Sequence, residues 1–240
     1  MKNIIKSVVL VICVIAIVFC GSNIYGQYTS MHESKQGLTD YTTLVNASSI
    51  QSPVSYQEHY DNNPDYRGWI WFESNLIDLP VMQSSDNSFY LNHDENKGFD
   101  FEGEPFIDAA NSLDDQNVSI YGHSIFNAPE MENDRFSPLR KLLDQQTYDQ
   151  NNHFYIAWQD DIRKYQIFAV CIVDTANDNW TYTKNIFQTD TDFYKFVHEA
   201  KKRSVVSADV DIKATDRLIT LQTCKELDST ERIVVIAKEN

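Results

Sequence analysis

The groups able to do covalent chemistry in this chain come down to one cysteine. Of its four cysteines, Cys13 and Cys20 fall within an apolar N-terminal run, leaving Cys171 and Cys224. Cys171 sits inside Ile167-Phe168-Ala169-Val170-Cys171-Ile172-Val173, where a thiol serves as a small hydrophobe. Cys224 ends a strand-like run and precedes a polar, charged stretch. The plainest alternative is that the two pair as a disulfide. A cysteine nucleophile needs a group that governs its thiolate and gives a proton to a leaving amine, plus a cation or donors for the oxyanion. Of the six histidines, His32, His59, His93, His153 and His198 read as solvated side chains in a stalk, a first helix, an acidic loop, a strand start and the polar side of a helix. His123 differs, because Asn117-Val118-Ser119-Ile120-Tyr121-Gly122-His123 reads as a strand that stops at a glycine and aims the next side chain at its end. A purely structural histidine fits that pattern equally well.

For the cation, spacing discriminates between two arginines. Arg217 precedes Cys224 by seven residues of one strand, which puts it about 23 Å away and on the opposite face. Arg232 opens the next strand after the connection Lys225 to Glu231, so an antiparallel hairpin returns it beside Cys224. Its competing reading is a surface ion pair with Glu226 or Glu231. Other chemistries lack their residues: there is no C-x-x-C, H-E-x-x-H or calcium loop, no Gly-rich phosphate loop and no G-x-S-x-G. No metal and no cofactor is expected. A net charge of −15 also excludes a basic stripe for nucleic acid.

These residues must be positioned by a folded chain. With 42% hydrophobic and 23% charged residues, 7 Gly and 6 Pro, the 240 residues fit one main domain and neither a disordered nor a low-complexity chain. Strand signals cover Trp69 to Phe72, Asp78 to Met82, Pro105 to Asp108, Val118 to Tyr121, Phe154 to Trp158, Tyr165 to Val173, Leu218 to Cys224 and Ile233 to Lys238. Eight short strands predict a mainly β closed barrel or sandwich. Helical patterns occupy Pro53 to Asn63, Phe136 to Asp144 and Asp192 to Lys202, the last with Phe193, Phe196, Val197 and Ala200 on one side.

The apolar run Val8 to Cys20 follows Lys2 and Lys6 and is a targeting or membrane segment. Extended by Ile4, Ile5, Ile24 and Tyr25 it approaches the span of a bilayer, and the lysines put the N-terminus in the cytoplasm and the rest outside. A cleaved secretory signal ending near Cys20-Gly21-Ser22 is the alternative. A lipoprotein reading is discounted because Phe19 is bulky. The expected organisation is an anchor or signal over 1–26, a juxtamembrane stalk over 27–52, turning helical near Tyr41 to Val45, and a catalytic domain over 53–240.

The chain resembles the sortases, membrane-anchored cysteine transpeptidases of Gram-positive bacteria. The resemblance rests on Thr220-Leu221-Gln222-Thr223-Cys224, similar to the family's T-L-x-T-C, on Tyr121-Gly122-His123, similar to its Y-G-H, and on Arg232-Ile233-Val234-Val235-Ile236-Ala237-Lys238, similar to its closing Arg strand. It covers most of residues 56–240, with weaker similarity at Leu79 to Gln83 and Asp86 to Leu91. It looks most like class B, which carries an N-terminal anchor, helices before the first strand and a helix between the sixth and seventh strands; class A lacks that helix, and class C adds a C-terminal membrane segment and a lid. The resemblance implies an eight-stranded sortase-type barrel in which Cys224 attacks the threonine carbonyl of a C-terminal sorting signal. His123 would move protons and Arg232 would hold the carbonyl oxygen. A peptidoglycan precursor or cross-bridge amine would then take the acyl group, anchoring a surface protein to the cell wall. Substrate-groove positions would be Asn87, Leu91, Tyr121, Gln222 and Thr223.

Two departures bear on specificity. Gln222 stands where class B members often have Ser, and Ala176 and Thr181 replace a usual Thr and Ile in the loop that contacts the signal, so an N-P-x-T type signal is an expectation of the family. The rival from another class is a membrane-tethered structural or binding module on a degenerate sortase barrel, with Cys224 inert or paired with Cys171. A papain-like peptidase is disfavoured because its cysteine precedes its histidine in the chain.

Overall fold

The computed structural model describes residues 52–126, 134–159 and 161–240. The expected anchor, the stalk through residue 51 and its helix near Tyr41 to Val45 lie outside the described residues, among which no helix is long and apolar enough to cross a membrane.

Eight strands form: β1 (Tyr66–Trp71), β2 (Asp78–Met82), β3 (Phe106–Ile107), β4 (Asn117–Tyr121), β5 (His153–Trp158), β6 (Asp161–Asp174), β7 (Leu218–Cys224) and β8 (Glu231–Glu239). They close into a barrel in the order β1-β2-β3-β4-β7-β8-β6-β5, and the barrel, rather than the sandwich, is the outcome. The β2–β3 and β4–β7 pairs are parallel; the remaining pairs are antiparallel. Alternation along β7 sends Ile219, Leu221 and Thr223 inward and Leu218, Gln222 and Cys224 outward. Ile219 and Leu221 join Val118 and Ile120 of β4 and Ile233 and Val235 of β8 in the barrel core. β6 is longer than its apolar run predicts, because Ile162, Arg163 and Lys164 pair with β5 through backbone groups whatever their side chains. A register shift between Ile167 and Ala169 accommodates one extra residue, Phe168.

Helix α1 (Tyr56–Asn62) ends where Pro64 disfavours further helix. The segment expected to be helical over Phe136 to Asp144 is a 3-10 helix over Ser137–Leu143. Phe136, Leu139 and Leu142 recur every third residue, which lines them up on one edge of a three-residue turn, and all three are buried in the barrel core. Helix α2 (Gln145–Gln150), unanticipated, buries only Tyr148 and so has no apolar period; its mark is Asp144, whose carboxylate accepts from the Thr147 N–H.

Helix α3 (Asp190–Arg203) lies between β6 and β7 in the chain. Thr189 caps it, acids occupy its first turn and Lys201, Lys202 and Arg203 its last, as the helix dipole favours. Phe193, Phe196, Val197 and Ala200 bury against the outer faces of β6, β8 and β7, forming a second core with Cys171, Val234, Ile236 and Leu218. Removing each phenylalanine from water contributes roughly 2 kcal/mol. On β7 this layer takes in Leu218, and Cys224, at the far end of that strand, stays only partly buried.

Candidate active site

The register of three adjacent strands assembles the candidate site. In the parallel β4–β7 pair Tyr121 lies opposite Gln222. The Gly122 N–H continues the ladder by donating to the Gln222 carbonyl at 3.1 Å, and the Thr223 hydroxyl donates to the Gly122 carbonyl at 2.8 Å. His123 therefore leaves β4 level with Cys224. On the other side of β7 the antiparallel register pairs Cys224 with Arg232 and Gln222 with Val234. Cross-strand partners share a face, and neighbouring strands lie about 4.8 Å apart, so His123, Cys224 and Arg232 form a row at one end of the barrel with the thiol in the middle.

Local bonding sets what each side chain can offer. His123 is half-buried and its Nε2 lies 2.8 Å from the Leu91 carbonyl oxygen. A carbonyl only accepts, so Nε2 carries the hydrogen and Nδ1 is the nitrogen left to exchange a proton. Arg232 donates from Nη1 to the Ser229 and Glu231 carbonyls at 2.8 and 3.1 Å. It forms no ion pair among the described residues. Lys225 takes the two acids that could have neutralised it, Glu231 at 2.9 Å and Glu226 at 3.9 Å. The positive charge thus stays available beside the thiol.

The two cysteines are free. Cys171 lies on β6 opposite Val234, itself opposite Gln222, so two strand spacings and an offset of two residues separate it from Cys224. It is fully buried under α3, its Sγ contacts the Ala200 carbonyl at 3.4 Å, and burial pushes its pKa up to about 12.

Around this row stand several residues named from the sequence. The Tyr121 hydroxyl donates to Asp108 at 2.5 Å, and burial together with that carboxylate raises its pKa. Leu91 is exposed and contributes its carbonyl to His123. Asn87 lies on an outer loop, where its side-chain oxygen accepts from the Ala109 N–H at 2.7 Å. Gln222 shares the face of Cys224, whereas Thr223 is 1% exposed, points into the barrel and ties β7 to Gly122 instead of lining the groove. Arg217 sits before β7 at the other end of the barrel, beside Glu239 at 3.7 Å. A cavity of about 440 Å³ opens at that same end among Trp158, Arg163, Tyr165 and Arg217, away from Cys224.

Sequence reasoning missed Tyr182. Its hydroxyl donates to the Gln222 side-chain oxygen at 2.6 Å, which turns the Gln222 amide N–H groups outward from that contact. Burial raises the Tyr182 pKa, with Arg232 and Cys224 close enough to act on it electrostatically. The aromatic run at Trp180 and Tyr182, next to the loop over 176–181, was the available signal. His59 and His93 also depart from the solvated reading: His59 stacks on Tyr66 and lies 3.0 Å from Glu95, and His93 stacks on Phe89. Among the described residues no group of three or more His, Cys, Asp or Glu is arranged to hold a metal ion.

Comparison with known proteins agrees with this geometry. Residues 73–240 match the family model described as the sortase domain. The chain is 31% identical over 251 residues to sortase B of Staphylococcus aureus, an alignment that covers 99% of this chain and 97% of that protein. The crystal structure of Clostridium perfringens sortase B superposes with a TM-score of 0.71 at 34% identity, covering 78% of this chain and 100% of that one. A sortase B solved in complex with triglycine superposes with a TM-score of 0.75 at 26% identity, covering 89% and 98%. A barrel closed in this order, matched along nearly its whole length by class B proteins, makes the chain a member of the sortase family, most like sortase B.

Proposed function

We propose that the chain is a cysteine transpeptidase that joins sorting-signal proteins to a peptidoglycan amine. The observation that carries this reading is the row His123, Cys224, Arg232, with the guanidinium left without an acidic partner among the described residues. In the first half-reaction Cys224 passes its proton to His123 Nδ1, the resulting thiolate attacks the carbonyl carbon of the signal's threonine, and Arg232 holds the carbonyl oxygen as it becomes an oxyanion. The C–N bond then breaks. The departing amine takes a proton from His123 Nδ1, while Nε2 stays bonded to the Leu91 carbonyl. In the second half-reaction an incoming amine attacks the thioester and gives its proton back to Nδ1. The C–S bond breaks, and the thiolate is restored. A thioester reacts readily with amines, and water in place of the amine gives hydrolysis. A similar structure is a sortase B with triglycine, a peptide that carries such an amine.

The recognised signal is proposed to be of the N-P-x-T type, received by Asn87, Leu91, Tyr121 and Gln222, with Tyr182 orienting Gln222. The enzyme would act outside the cell, held to the membrane by residues 1–26. The test is product analysis of a panel of N-P-x-T peptides incubated with the chain, with and without triglycine, beside Cys224→Ala. The expected result is cleavage after threonine and a ligated product only when triglycine is present, both absent in Cys224→Ala. Peptides left intact by the wild-type chain, or cut equally by Cys224→Ala, would overturn the proposal.

A further inference from the structure

The segment Asp100-Phe101-Glu102-Gly103-Glu104 reads as a solvated acidic loop, yet its three carboxylates are 5, 6 and 6% exposed. They surround Arg135, itself 7% exposed. Arg135 Nη2 lies 2.8 Å from Asp100 and 3.3 Å from Glu104, and Nε lies 3.9 Å from Glu102. Removing one guanidinium and three carboxyl groups from water is expensive even when they are paired, and a cluster of apolar residues would hold two loops together at lower cost. The position of this cluster gives it a use.

The acidic loop holds the acceptor for the histidine ring. The Glu104 N–H donates to the Tyr90 carbonyl at 2.9 Å and the Asp100 N–H to the Asn92 carbonyl at 3.0 Å, so the loop grips the backbone on both sides of Leu91. Gly103 adopts φ +59, and a Cβ there would fall 2.2 Å from the Tyr90 oxygen and 2.7 Å from the Leu91 oxygen. Only glycine lets the loop lie against the carbonyl that receives His123 Nε2. Arg135 comes from the other side. It adopts φ +50, a left-handed conformation that costs a non-glycine residue on the order of 1 kcal/mol. Its neighbour Phe136 donates its N–H to the His123 carbonyl at 2.9 Å. One ion cluster therefore ties the segment that holds the His123 backbone to the segment that holds its ring.

We propose that Arg135, clamped by Asp100, Glu102 and Glu104, is a positioning residue that keeps His123 Nε2 on the Leu91 carbonyl and so leaves Nδ1 facing Cys224. The inference rests on the reading of His123 as the proton carrier. It also carries a pH dependence. Burial, opposed by Arg135 and reinforced by the carboxylates of Glu95, Asp100 and Asp94, pushes Glu104 up to about 8. At neutral pH Glu104 keeps its proton, and its ionisation adds a further negative charge, beside Asp100 and Glu102, to a cluster with one cation. The clamp loosens as pH rises through that value.

The test compares wild type, Arg135→Gln and Glu104→Gln by melting temperature, by kcat and KM on the N-P-x-T peptide that the wild type cuts fastest, and by 15N NMR of the imidazoles, with the His123 signals assigned from His123→Gln. Arg135→Gln should lower kcat on the order of 10- to 100-fold while KM changes little, and its His123 should lose the single Nε2–H tautomer at temperatures below melting. Glu104→Gln, which mimics the protonated acid, should keep the wild-type tautomer at pH 7 and hold it at pH 9, where the wild type loses it. A folded Arg135→Gln with wild-type tautomer and kcat, or a Glu104→Gln whose tautomer follows pH as the wild type does, would overturn the proposal. Should Arg135→Gln fail to fold, Glu104→Gln decides alone. The NMR arm needs no turnover, so absence of any cleaved peptide would count against the transpeptidase reading and leave the clamp to be judged by the tautomer.

Discussion

Cys224 and Cys171 lie on the same outer face of one sheet and differ in chemistry because of what covers them. Helix α3 seals Cys171, whereas Cys224 lies past the helix with Arg232 as its cross-strand neighbour. Arg217, just before β7, and Arg232, in β8, form the matching contrast. Arg217→Ala should leave kcat/KM within about twofold and lower the melting temperature modestly, since it loses its contact with Glu239 and its bond to the Leu113 carbonyl. Arg232→Ala should lower kcat/KM by about 10²–10³ with unchanged melting, the usual loss for removing an oxyanion donor. Peptide kinetics beside thermal unfolding check both; equal losses of activity with unchanged melting would contradict the assignment. Strand and turn signals placed His123, Cys224 and Arg232 at strand ends, and the Y-G-H, T-L-x-T-C and closing-Arg motifs singled them out from the structural alternatives. Tyr182 was missed: the aromatic run at Trp180 and Tyr182 was visible, but its meeting with Gln222 across 40 residues of chain was not.

The elements supply position through backbone register more than through side-chain contact. Gly122 shows how little room that leaves. A Cβ on it would lie 2.6 Å from Cγ of Phe136, the aromatic that caps the barrel core and bonds the His123 carbonyl. Gly122→Ala should therefore push Phe136 aside, destabilising the fold by about 1–3 kcal/mol and lowering kcat, as denaturant unfolding and peptide turnover would show. A variant with native stability and full activity would mean that Phe136 can yield without moving His123. All eight strands could be read from their alternating or continuous apolar runs, and α3 from its apolar stripe. The 3-10 helix at Ser137–Leu143 and helix α2 could not be typed correctly. Three-residue spacing of apolar side chains reads as a helix edge in either geometry, and α2 buries a single side chain. The acidic loop at Asp100 to Glu104 was opaque for a related reason: its partner Arg135 is 35 residues away, and a run of carboxylates reads as solvated until that partner is known.

At the scale of the whole molecule, opposite shifts shape the dependence of stability on pH. Asp174 is held below the ordinary carboxylate range by hydrogen bonds from Thr230, Asn177 and the Ala176 N–H, and Asp192 is held there by Lys184. Their folded pKa values are depressed, so the stability they contribute is present above the unfolded carboxylate range and is lost as pH falls through the folded values. Glu104 has the opposite sign. Between its ordinary value of 4.5 and about 8 the folded chain holds a proton that the unfolded chain releases, so stability falls as pH rises across that window. The net charge of −15 adds self-repulsion in the same direction. Melting should be highest on the mildly acidic side of neutrality and decline towards pH 8, and Glu104→Gln should flatten the decline. A melting temperature that rises from pH 5 to 8, or the same decline in Glu104→Gln, would refute this account.

The central claim is that Cys224 carries the acyl group, and intact-protein mass spectrometry tests it most directly. The chain is mixed with an N-P-x-T peptide, quenched in acid within seconds and weighed, beside Cys224→Ala and with triglycine added to a parallel sample. The account predicts an added mass equal to the peptide through its threonine, located on Cys224 by fragmentation, absent in Cys224→Ala and discharged by triglycine. A product that forms with no such adduct at any quench time, or an adduct on Cys171, would contradict it.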